Sequence, residues 1–93
     1  MALLWPNKDP QEVLDYTIKW EPRLDGDTID MVSFTVTEGD VVIDSYGTAN
    51  ADKDAVVWLS GGTNGTVCIV LCRINTVGGR TMDQSVKLKI KDR

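Results

Sequence analysis

Three observations predict an all-β fold for this chain. Apolar and polar residues alternate in short runs, turn residues recur at intervals of about ten, and no stretch carries the 3.6-residue period of a useful amphipathic helix. At 93 residues there is room for one modest core, and 42% hydrophobic with 26% charged residues is the balance of a folded domain. Six or seven antiparallel strands stacked as a β-sandwich, or less economically a small barrel, fit those limits.

The elements follow in order. Residues 1–12 read as an N-terminal arm and residues 13–93 as a single sandwich domain, so deleting residues 1–8 is expected to leave the fold intact. In "NKDPQEV", Asp9, Pro10 and Glu12 suit either one capped turn of helix or a simple turn. "DYTIKW" sets Tyr16, Ile18 and Trp20 on one face and Asp15, Thr17 and Lys19 on the other, which makes the first long strand. After a turn at Asp25-Gly26-Asp27, Ile29 and Met31 share one face while Val32, Phe34 and Val36 share the other, so a β-bulge is expected near Met31-Val32.

Beyond the Glu38-Gly39-Asp40 turn, "VVIDSY" and "AVVWL" are two further strands around the polar connector "GTANADKD", with Val56 and Trp58 expected inward. "TVCIVLCRI" and "RTMDQSVKLKIK" flank the Gly78-Gly79 turn and predict a long terminal β-hairpin. In its second strand Val86, Leu88 and Ile90 alternate with Lys87, Lys89 and Lys91. Trp20, Phe34, Trp58 and Tyr16 are the bulky core candidates of what reads as an immunoglobulin or fibronectin type III kind of sandwich.

Few residues invite chemistry. Cys68 and Cys72 fall on one face of a strand, roughly 13 Å apart, too far for a disulfide. The chain has no histidine and no third cysteine to complete a zinc site or to activate a thiol, so both read as small buried hydrophobes. "SGGTNGT" lacks the lysine of a phosphate loop and reads as a tight turn, although Asn64-Gly65-Thr66 has the form of a glycosylation acceptor. Asp25, Asp27 and Asp30 mimic part of a calcium loop without its remaining ligands, and read as turn residues. No enzyme activity, cofactor or metal is expected.

Charge points to surfaces instead. Residues 1–60 hold 4 basic and 12 acidic side chains, whereas residues 61–93 hold 6 basic and 2 acidic ones. Such asymmetry can orient a molecule on a partner, and a net charge of -4 argues against nucleic acid. No run approaches the length of a membrane span, and "MALLWPNKDP" lacks the basic start of a secretory signal, so a cytosolic protein is expected. Candidate partner contacts are Leu3, Leu4 and Trp5 in the arm and Lys87, Lys89 and Lys91 in the last strand. Val67, Ile69 and Leu71, opposite the cysteines, suggest a strand dry on both sides, covered by the arm or by another subunit.

The segments "KDPQEVLDYTIKW", "LDGDTI", "VWLSGGTNGT" and "GGRTMDQSVKLKIK" resemble a family of small virion proteins of tailed bacteriophages, fibre-tail adaptors or virion structural proteins with an immunoglobulin-like fold. "VVIDSYGTANADKD" matches least well. The resemblance carries no catalytic signature. It implies a structural component made in the bacterial cytoplasm and assembled into the virion, binding other virion proteins as a homo-oligomer or ring at the tail, the fibre attachment or the head-tail junction. A carbohydrate- or receptor-binding module is the alternative, and its natural loops, "GTNG" and "VGGR", contain no aromatic residue.

Overall fold

The computed structural model describes residues 3–92. Its elements are β1 (Leu3–Leu4), β2 (Leu14–Lys19), a one-turn helix α1 (Glu21–Leu24), β3 (Ile29–Glu38), β4 (Val41–Ala49), β5 (Asp54–Gly61), β6 (Val67–Thr76) and β7 (Thr81–Lys89). They form a four-stranded sheet in the order β1-β7-β6-β3 and a three-stranded sheet in the order β2-β5-β4. The six long strands pair antiparallel, and only the short β1 runs parallel to its neighbour β7. The fold is therefore an all-β sandwich that ends in a long hairpin, β6–β7.

Alternation sets the two layers. From the four-stranded sheet Cys68, Val70, Cys72, Ile74, Val86 and Leu88 point inward and are fully buried. They meet Tyr16, Ile18, Ala55, Val57 and Leu59 of the other sheet. Each fully buried aliphatic side chain contributes about 1.5–3 kcal/mol through removal from water. Trp20 and Leu24 close one end of this core. The open sides are plugged by aromatic pairs: Trp5 stacks on Tyr16 at 4.7 Å, and Phe34 meets Tyr46 at 5.7 Å.

The arm behaves differently from the expectation. Residues 3–8 run alongside β7, with Leu3 opposite Val86, Leu4 opposite Lys87, and an isolated bridge from Lys8 to Ile90. The amides of Trp5 and Lys8 donate to the carbonyls of Lys87 and Lys89, both at 3.0 Å. Lys8 is fully buried, its ammonium donating to the carbonyls of Gly61 at 2.6 Å and Asp9 at 2.9 Å. A segment with a buried Trp and a buried Lys is part of the packing, so its deletion should cost stability.

Three local differences have physical causes. The expected bulge lies one step earlier: register slips between Ile29 and Met31, so Ile29 and Phe34 both face inward while Met31 faces out. At residues 9–12 Asp9 and Glu12 exchange capping bonds without a helix. The Glu12 carboxylate accepts from the Asp9 amide and the Asp9 carboxylate from the Gln11 amide, both at 2.8 Å. The turn of helix is instead at Glu21–Leu24, where Pro22 is pre-set for a first helical turn.

The third difference is β5. Ala55, Val57 and Leu59 face inward, leaving Val56 and Trp58 on the outer surface, with Trp58 43% exposed. "AVVWL" is apolar on both faces, so alternation alone does not choose between them. Trp5, Tyr16 and Trp20 already occupy the core that this strand shares, with Tyr16 directly beside Val57, and the smaller set packs among them.

Candidate protein-binding faces

Tight loop bonding holds both sheets in place. The Asp27 carboxylate accepts from the amides of Thr28 at 2.8 Å and Gly78 at 3.0 Å, tying the β6–β7 turn to the segment before β3. The hydroxyl of Thr76 and these amides hold its carboxyl below the usual range. Asp40 is held low in the same way by the Thr63 hydroxyl and amide, which joins the β3–β4 turn to the β5–β6 loop. Asp27 is thus a turn acid, and among the described residues no three potential ligands converge on a metal position. Asn64 accepts from the Asp92 amide at 2.9 Å, and Gly61, Gly62 and Gly65 have positive φ, as a tight glycine turn requires.

The cysteines are free, fully buried and part of the core. Burial pushes the Cys72 thiol up to about 12, opposed by the indole N–H of Trp20 beside it. That indole N–H is buried and lacks a hydrogen-bond partner among the described residues, and it acts on the nearby sulfur as a polar neighbour. A thiol protonated far above neutrality is no nucleophile.

The exposed apolar and charged side chains gather on the outside of the two sheets. On the four-stranded sheet the register sets Leu4 beside Lys87, Lys87 beside Ile69, and Lys89 beside Val67, with Leu71 next along β6. Leu4 is 74% exposed and Val67 half exposed, while Ile69 and Leu71 are partly covered by their neighbours. Lys87, Lys89 and Lys91 are all exposed here. Arg73 and Asp83 cancel each other in a two-pronged bond of 2.7 and 2.9 Å, so beside β6 and β7 the three lysines outnumber the neighbouring acid Glu38, opposite Ile69.

Of the sequence candidates, the structure therefore joins Leu4, Lys87, Lys89 and Lys91 on one surface. Trp5 is removed from the set, since it is only 7% exposed and stacked on Tyr16. Leu3 pairs through its backbone with Val86, and its side chain lies outside the described residues. The apolar outer face of β6 is not covered by the arm, because β1 extends the sheet sideways instead of crossing it.

The opposite face was not legible in the sequence. Trp58 lies between Asp15 of β2 and Ser45 of β4, Val56 lies between Thr17 and Gly47, and Val42 is beside Ser60. Val13, just ahead of β2, and Val42 are both half exposed. Asp44 joins this face by accepting from the Ser60 hydroxyl at 3.0 Å. Trp58, Val56, Gly47 and Thr48 line a shallow groove of about 320 Å³. Lys19 is the one cation among the β2, β4 and β5 residues of this face, and it sits opposite Asp54.

A filled sandwich interior between two largely antiparallel sheets defines an immunoglobulin-like domain. The solved PKD domain from KIAA 1837 protein supports that class: it is similar over 96% of this chain and 83% of its own, at 19% identity and a TM-score of 0.54. No curated protein matches the chain. The chain belongs to the Gp77 family, described as podophage GP4 fiber-tail adaptor protein gp77, whose model matches residues 8–89. It is thus a member of a structural adaptor family of a tailed bacteriophage.

Proposed function

We propose that this chain is a non-enzymatic structural part of the phage particle, joining neighbouring virion proteins at the tail or the fibre attachment through the outer faces of its sheets. The observation that carries this reading is the family match, which spans all six long strands and not merely one motif. The packing agrees with it. The interior is used up by side chains, and most of the exposed apolar residues lie on sheet faces rather than in a deep cleft. The protein is made in the host cytoplasm and ends in the virion.

Mass spectrometry and labelled-particle microscopy of purified virions test the reading. The protein is expected at the tail, and Lys87→Glu/Lys89→Glu is expected to lower incorporation several-fold with unchanged soluble yield. Absence from particles, or a position inside the head, would remove the adaptor role. Trp58 in its groove favours a second reading, saccharide binding by stacking on the indole. Quenching of its fluorescence by oligosaccharides at millimolar concentration would support that use, and no quenching would end it.

A further inference from the structure

The two outer faces are unlike in charge and alike in build. One presents Leu4, Val67 and Ile69 with Lys87, Lys89 and Lys91 around them. The other presents Val13, Val42 and Trp58 with Asp15 and Asp44 around them. They belong to different sheets and so look out from opposite sides of the sandwich. We infer that copies of this chain bind one another head to tail, the lysine-bearing face of one copy seated on the aspartate-bearing face of the next.

Charge decides the pairing mode. Two copies meeting through the same face would set lysine against lysine, or aspartate against aspartate, around apolar patches that gain only if those charges are tolerated. Unlike faces put opposite charges around the same buried contact. The molecule extends 41 × 22 × 17 Å, so a broad side is of the size of the roughly 800 Å² per partner that a specific interface uses. A contact between two different faces leaves one of each kind free, so it repeats, closing into a ring or running on as a stack according to the rotation per copy. This goes beyond the adaptor reading, because it needs no other virion protein.

Sedimentation velocity of the purified chain over a concentration series tests it. The wild type is expected to self-associate, at least tenfold more weakly in about 0.5 M salt than in about 0.05 M. Lys87→Glu/Lys89→Glu and Val42→Asn/Trp58→Asn each block one face, and each variant alone is expected to be monomeric. An equimolar mixture is expected to give a discrete dimer, since one intact face of each kind remains. Circular dichroism confirms that both variants fold, and the salt series needs no variant at all. A wild type that stays monomeric to millimolar concentration overturns the inference. So does a variant that associates as the wild type does, or a mixture that stays monomeric. The adaptor role is tested separately, in particles.

Discussion

Lys8 shows what one side chain can do in a domain this small. Burial pulls its ammonium pKa below the ordinary 10.5, against the opposite pull of Glu12, Asp9 and Asp44. It stays because two carbonyls need it. Lys8→Met should therefore lower the unfolding free energy by about 2 kcal/mol, as denaturant titration would measure, through two acceptors left unpaired. Gly39 is a second such position. It has φ +91°, and a Cβ there would stand 2.9 Å from the backbone Cα of Cys68. Gly39→Ala should cost about 2 kcal/mol or more, read from the shift in denaturation midpoint.

Cys72 adds a pH dependence. Its folded pKa of about 12 exceeds the ordinary 9.0, so the folded chain keeps a proton that the unfolded chain releases between those values. The stability this contributes is complete below pH 9 and is lost as pH rises towards 12. Denaturation at about pH 8 and about pH 10 should show a loss of up to about 1.4 kcal/mol per pH unit that is missing in Cys72→Ala. That the thiols are buried could be read from "TVCIVLCRI". Lys8 could not, because a lysine reads as solvent-facing until its acceptors, 53 residues away at Gly61, are known.

Among the elements, the terminal hairpin was the most legible and the N-terminal segment the least. Strict alternation from Val86 to Lys91 and the Gly78-Gly79 turn define β7 and its pairing with β6. "ALLWP" has no alternation to read, since β1 is only two residues long and depends on β7 for its form. Removing residues 1–8 strips Trp5 from Tyr16 and Lys8 from its carbonyls, so calorimetry should show a loss of at least about 3 kcal/mol. The β4–β5 turn offers the reverse test. Asn50, Ala51 and Asp52 all have positive φ, at 54°, 54° and 62°. Glycine removes the penalty on Ala51, so Ala51→Gly should raise stability by about 0.5–1 kcal/mol. Composition showed a polar connector here, whereas three consecutive left-handed residues lie beyond pattern reading.

For the whole molecule, the sequence's charge asymmetry became two faces only once the strand order was known. β6 and β7 are the basic end of the chain and neighbours in one sheet, while β2, β4 and β5 draw on the acidic end and form the other. Trp58 marks the limit of that reading, because a strand apolar on both sides turns its larger set outward where the interior is already full. The strand order has a mechanical consequence as well. Since β1 and β7 run the same way, tension that drags the first residues backwards and the last residues forwards slides one strand along the other. The bonds from Trp5 to Lys87, Lys8 to Lys89 and Lys91 to Lys8 are then strained together, not peeled off singly. A domain pulled from both ends in this manner resists as a shear joint.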